Sequence, residues 1–263
     1  MTLLAIIVAT LAGGVLSVVV AAALTVSVLQ KLVPQLVSLS VGVLLGTALL
    51  NVLPEAFERG GDPKGLFAAL LIGILGFFLL EKAELYRHGH HHEGDHPHHH
   101  HHHGFDAEQA GRGGSSVLVG DSIHNFCDGV IIAAAFIADA HLGVVTALAI
   151  VAHEVPQEVG DFIVLLNAGF TKARALAYNA LSGLAGVAGG VAGYFLVQSM
   201  QGVFAYLLVV AASSFIYVAV ADLLPQLQRR LPWKETAAQV GWIGVGLALV
   251  LVAGFFAHAG HGH

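Results

Sequence analysis

The sequence predicts an all-α, polytopic membrane protein: a bundle of eight transmembrane helices with inverted repeats, forming a single transmembrane domain over residues 1–263. Composition is the first observation behind this. Hydrophobic residues make up 56% of the chain and charged residues 11%, with a mean hydropathy of +0.78, whereas soluble domains carry about 25% charged residues. The second is the arrangement of apolar residues in runs long enough to cross a bilayer, which takes about 20 residues per helix. The third is the uneven placement of the basic residues between those runs.

The eight runs fall at about 3–29, 33–57, 65–82, 115–138, 141–168, 173–198, 202–227 and 236–258. The first begins MTLLAIIVAT, has no basic n-region, and stays apolar for more than twenty residues without a cleavage site. It therefore reads as a transmembrane helix and not as a secretory leader. The charges lie mostly in the connections. With the N-terminus outside the cytoplasm, the inner loops hold nine basic residues: Lys31, Lys82, Arg87, Arg112, Lys172, Arg174, Arg229, Arg230 and Lys234. Only Arg59 and Lys64 lie outside, so the positive-inside rule places both termini on the non-cytoplasmic side. The plasma or inner membrane is the expected location. The only cysteine, Cys127, excludes an intrachain disulfide and leaves the redox compartment unread. It faces away from the polar stripe described below or lies at its edge, and reads as a core cysteine.

The loop at 83–114 contains eleven of the seventeen histidines. It is too polar to build a core, so it is expected to be disordered and cytoplasmic. A purification tag would account for the run His98, His99, His100 to His103, but not for His88, His90, His91, His92 and His96. Imidazoles at this density collect zinc, nickel or copper weakly. Deleting residues 88–103 is expected to lower the metal captured on the cytoplasmic side without disturbing the membrane-spanning helices; unchanged metal binding by a well-inserted deletion would contradict this. The terminal HAGHGH is weaker evidence of the same kind.

Polar residues inside the fourth and fifth runs carry the chemistry. In HNFCDG, His124 and Asp128 are four residues apart and share a helix face, as do Asp121 and Asn125. The next run repeats the pattern in HEVPQEVGDF: His153 and Gln157, then Glu154 and Glu158, are each four apart, and Asp161 lies a turn further on. A carboxylate at mid-membrane costs about 2.5–3.5 kcal/mol, so Asp128, Glu154, Glu158 and Asp161 facing lipid would together cost on the order of 10 kcal/mol. A protonated carboxyl network tying two helices together would need only one or two such groups. Two helices facing each other with imidazole, carboxylate and carboxamide make a metal site, and the cation supplies the missing charge. Pro156 cannot donate to the carbonyl of Ala152 and should kink the helix beside His153. The freed carbonyl either serves the site or belongs to a tolerated membrane-helix proline.

A second internal symmetry relates ALLNVLPEAF to VAVADLLPQL, pairing Asn51 with Asp222 and Pro54 with Pro225 on spans of opposite direction. The fourth and fifth spans are likewise opposed. Inverted repeats with a polar site at their interface are a mark of secondary transporters.

At these residues the sequence resembles the ZIP (Zrt/Irt-like) divalent metal transporters. HNFCDG and HEVPQEVGDF are similar to the paired signature of that family's fourth and fifth helices, nearest the subgroup whose fifth helix reads HExPHExGD. ASSFIYVAVADLLP resembles its seventh helix and GTALLNVLPEA its second. The resemblance implies import of Zn2+, or of Fe2+, Mn2+ or Cd2+, into the cytoplasm through a two-metal centre. One metal position would be lined by His124, Asp128, His153 and Gln157, and a neighbouring one by Asn125 and Glu154. Asp121, Glu158, Asp161, Asn51 and Asp222 would serve the pathway or support the ligands. The chain departs from the family pattern in three places: Gln157 replaces a histidine, Thr47 and Asn51 stand where many relatives have aspartate and histidine, and GLAG in the sixth helix offers no glutamate. The implied partners are the divalent ion and the lipid bilayer, with no nucleic acid and a homodimer left open.

Imidazole with carboxylate favours Zn2+, Fe2+, Mn2+, Co2+, Ni2+ or Cd2+ over Cu(I), and is too nitrogen-rich for Mg2+ or Ca2+. An enzyme is not expected. An intramembrane zinc protease would need H-E-x-x-H, and the second histidine position is Gln157. A cation-efflux carrier would show six spans, not eight; a metal sensor without transport stays open.

Overall fold

The computed structural model describes residues 1–23, 26–89, 114–167, 169–199, 204–228 and 232–260. The described residues form ten α-helices and two π-helical segments. The helices are α1 (Thr2–Ala23), α2 (Val26–Thr47), α3 (Leu53–Glu58), α4 (Pro63–Gly89), α5 (Gly114–Ala138), α6 (Ala140–Asn167), α7 (Lys172–Ser199), α8 (Phe204–Tyr217), α9 (Leu224–Leu227) and α10 (Trp233–Gly260). The π segments Ala48–Val52 and Val218–Leu223 join α2 to α3 and α8 to α9, which leaves eight rods long and apolar enough to cross a membrane. The all-α polytopic fold read from composition is thus the fold observed.

Boundaries differ from expectation in two places. The first span stops at Ala23, and α2 begins at Val26, passing through Lys31 and Pro34. Lys31 was expected in a loop between the two spans, but a helix satisfies its own backbone and can run on beyond apolar sequence. For the same reason α4 continues to Gly89, beyond residue 82 where its apolar run ends. Most of the histidine-rich segment, His90 onward, lies outside the described residues.

The two repeat-related segments share a local deformation. Asn51 lies in the first π segment and Asp222 in the second, each three residues before a proline. Pro54 and Pro225 have no N–H, and their rings crowd the carbonyl four residues back. The neighbouring Leu53 and Leu224 N–H groups bond five residues back, to Ala48 and Ala219, which widens the turn. The weak sequence match thus corresponds to a matched backbone feature.

Depth in the bundle separates the rods. In α6, 72% of the apolar window is buried, against 6% in α4 and 11% in α10; α6 is the central helix and the other two present most of their surface outward. α5 packs chiefly on α7 and also on α6, α1 joins α6 and α7, and α2 joins α10 and α6. Glycines permit the closest of these approaches. Gly186, Gly189, Gly190 and Gly193 recur along one side of α7 and meet α5 backbone, an example of small-residue packing between membrane helices. A side-chain carbon at Gly129 would overlap the carbonyl oxygen of Gly186, and one at Gly189 that of Phe126.

One residue, Asp139, joins α5 to α6. Its carboxylate accepts from the N–H groups of His141 at 2.8 Å and Leu142 at 3.1 Å, capping the start of α6. Arg59 donates to the carbonyl of Ala138 at the end of α5, is held by Glu55 at 2.5 Å, and lies over the Phe204 ring at 5.1 Å. Both ends of the turn are therefore satisfied. This tight hairpin fixes depth: His124 lies fifteen residues before Asp139 and Glu154 fifteen after, so each sits about 22 Å from the turn at 1.5 Å per residue.

Candidate metal site

His124 and Asp128 on α5 meet His153 and Glu154 on α6, and one ligand atom from each lies within 4.8 Å of all the others. His153 Nε2 stands 3.2 Å from His124 Nε2, 3.0 Å from Asp128 Oδ2 and 3.6 Å from Glu154 Oε1. His124 Nε2 stands 3.7 Å from Asp128 Oδ2 and 3.6 Å from Glu154 Oε1. Ligands bonded to zinc at about 2.0–2.2 Å in a tetrahedron stand roughly 3.3–3.6 Å from one another. The five separations bracket that edge.

The protein orients these groups. His153 Nδ1 lies 3.2 Å from the Ala149 carbonyl, which can only accept, so Nδ1 carries a proton and Nε2 is directed at the cluster. His153 is 1% exposed, Glu154 2% and Asp128 3%; the His124 side chain, at 25%, is the open edge. Both Glu154 carboxylate oxygens are buried with no hydrogen bond, and Asp128 Oδ2 is buried with only the His153 ring nitrogen close to it, at 3.0 Å. Buried carboxylate oxygens left in this way are costly unless a positive charge meets them.

The other residues singled out in the sequence occupy distinct places. Asn125 and Gln157 do not point their amide nitrogens at this cluster: both donate to Asp121 Oδ1, at 3.0 Å and 3.3 Å. Asn125 and Glu154 also share the wall of a small cavity with Asp128, Gly186 and the α1 residues Thr10 and Gly13. Glu158 is fully buried and Asp161 half-buried on the next turns of α6. Asn51 is half-buried with an unpaired Nδ2. Asp222 is exposed, accepts from Gln226 at 3.2 Å, and lies within electrostatic range of His153. Cys127 is half-buried on α5. The side chains of the loop histidines, His88 included, are outside what the structure describes.

Three contributions went beyond the sequence reading, the first being the partner of a carbonyl already singled out there. The carbonyl of Ala152, freed by Pro156, is met by Ser40 Oγ of α2 at 2.5 Å, although the same hydroxyl is 2.7 Å from the Leu36 carbonyl and has one proton to give. The freed carbonyl and the intrahelical Leu36 carbonyl are thus both targets of one α2 hydroxyl. The α7 glycines and the Asp139 cap set the rotation and depth of α5. Their signals, G-x-x-G-G-x-x-G and a lone aspartate between two apolar runs, were present in the sequence.

An all-α polytopic membrane protein with buried imidazoles and carboxylates converging between antiparallel helices belongs to the class that handles metal ions within the bilayer. The family model described as ZIP zinc transporter matches residues 1–104 and 83–254. The chain belongs to that family, whose members are transporters and not enzymes. It is 32% identical over 221 residues to zinc transporter ZIP13 of Pongo abelii, covering 76% of this chain and 61% of that protein. It is 29% identical over 246 residues to zinc transporter YKE4 of Saccharomyces cerevisiae, covering 82% and 69%. Zinc transporter ZIP10 of Danio rerio is 44% identical over 111 residues, covering 42% of this chain and only 13% of that protein. The chain thus spans a small part of the ZIP10 relatives and most of YKE4.

Proposed function

We propose that this chain carries a divalent metal cation, Zn2+ foremost, across the membrane into the cytoplasm, with the ion resting among His124, Asp128, His153 and Glu154. The convergence of four ligand atoms at tetrahedral spacing, two of them nitrogen, is the observation that carries this reading. The names of the zinc-transporting relatives support it. Fe2+, Mn2+ and Cd2+ suit the same donors. Asn125 faces the neighbouring cavity with Glu154 and offers a second position there, where Gly186 of the GLAG segment brings no carboxylate. The basic residues orient the bundle with both termini outside the cytoplasm, in the plasma or inner membrane. Uptake of zinc into proteoliposomes holding the purified chain, with direction recorded, tests the proposal; vesicles that accumulate no metal above empty ones would refute it.

Gln157 separates transport from proteolysis. Its amide already serves Asp121, and a carboxamide is a weaker ligand than imidazole. Gln157→His is expected to bind Zn2+ more tightly and to lower the apparent KM, with an equal or lower maximal rate, because a deeper resting well slows release. The same change completes H-E-x-x-H. New intramembrane cleavage with unaltered zinc uptake would favour the protease.

A further inference from the structure

One turn beyond the four-ligand cluster lies a second group of buried oxygens. Asp121 is eighteen residues before the Asp139 turn and Glu158 nineteen after it, so the two carboxylates share a depth, about 4.5 Å beyond His124 and about 6 Å beyond Glu154 along the hairpin. Each lies within electrostatic range of the other, and Asp161 is within range of Glu158. Ser182 of α7, 2% exposed, sits beside Asp121.

Glu158 decides what the group can be. It is 0% exposed, and neither carboxylate oxygen has a hydrogen-bond partner. Its backbone carbonyl is taken by Asn179 Nδ2 at 2.9 Å, so α7 holds this turn of α6 while the side chain is left unpaired. A protonated Glu158 would need an acceptor for its O–H, and neither of its oxygens has a hydrogen-bond partner among the described residues. Asp121 Oδ1 already accepts from Asn125 and Gln157, so it is Glu158 that a cation between the two carboxylates would satisfy.

We propose that Asp121 and Glu158, with the Ser182 hydroxyl, form a second divalent-cation site, built of oxygen alone, as the ion's next stop toward the cytoplasm. This rests on the transport reading. The donor chemistry gives the pair a direction: imidazole and carboxylate hold Zn2+ firmly, whereas oxygen donors hold first-row ions more weakly and discriminate less among them. A weaker inner site lets the ion leave the tighter one without a deep trap, as conduction through successive sites requires.

Mn2+ is the probe, since it binds oxygen and lies at the weak end of the affinity series for the loop imidazoles. Bound Mn2+ is counted by electron paramagnetic resonance on the full-length chain in nanodiscs. His153→Ala, which disables the upper cluster, is expected to retain one bound Mn2+. Adding Glu158→Gln, or separately Asp121→Asn, is expected to weaken that binding by about tenfold or more, in protein that still elutes as a single species with unchanged helicity. Unchanged Mn2+ binding in both double variants overturns the site. Zinc uptake by the wild type is read separately: retained Mn2+ binding without any uptake discards transport and leaves the site standing, whereas uptake with unchanged binding in the double variants does the reverse.

Discussion

His153→Ala and Asp128→Ala are each expected to abolish most zinc uptake while the protein still inserts. His153 contributes Nε2 at 3.0–3.6 Å from the other three ligand atoms, and no neighbour replaces it in that arrangement. Groups that merely support a ligand cost about 10–100-fold in affinity or activity when removed, so loss of the ligand itself is expected at or above the upper end of that range. Asp128→Ala removes a buried carboxylate together with the 3.0 Å partner of His153, so this variant is expected to change little in thermal stability without metal and to lose the stabilisation that zinc confers. His153→Ala leaves Asp128 and Glu154 buried beside each other with one imidazole fewer, and is expected to lower stability. Uptake at limiting zinc, with melting temperatures measured with and without the ion, checks both. Normal transport by both variants would place the site elsewhere.

Gly129→Val is expected to prevent α5 from docking on α7. A β-carbon at Gly129 overlaps the Gly186 carbonyl oxygen and comes within 2.6 Å of the Gly190 nitrogen, both backbone atoms of a helix that cannot turn aside as a side chain would. Overpacking a core costs about 1–3 kcal/mol when side chains can move, and the cost here lies at or beyond that range. Gly76→Ala is the control, since a β-carbon there meets nothing within 4 Å; a small gain in helix stability is expected from it. Yield, monodispersity and melting temperature distinguish the two. A Gly129→Val protein as stable as the wild type would show that α5 and α7 are not packed this closely.

Much of this molecule is legible in local sequence because the governing terms are local. Whether a run of residues crosses a bilayer depends on its own length and transfer energy, and the eight spans follow from that. The polar stripes of HNFCDG and HEVPQEVGDF follow from helical periodicity and from the cost of placing carboxylates against lipid. Even the common depth of His124 and Glu154 is implicit in their equal distances from Asp139. The matched Asn51 and Asp222 segments were visible as a faint repeat, although their π geometry was not, since it arises from how the chain accommodates Pro54 and Pro225.

By itself, then, the sequence determined an eight-span membrane protein with metal-binding chemistry on two adjacent helices. Only the tertiary structure decided which of those groups meet. His124, Asp128, His153 and Glu154 converge, while Gln157 and Asn125 direct their amides to Asp121 and Glu158 is left unpaired a turn away. Periodicity says which residues share a face of one helix; it does not say how far each helix is rotated toward its neighbour. That rotation is set by contacts distant in sequence: the α7 glycines that let α5 approach backbone to backbone, and Ser40 of α2 meeting the carbonyl that Pro156 frees on α6. A rotation by one residue is 100° at 3.6 residues per turn, enough to exchange Gln157 for Glu154 at the cluster.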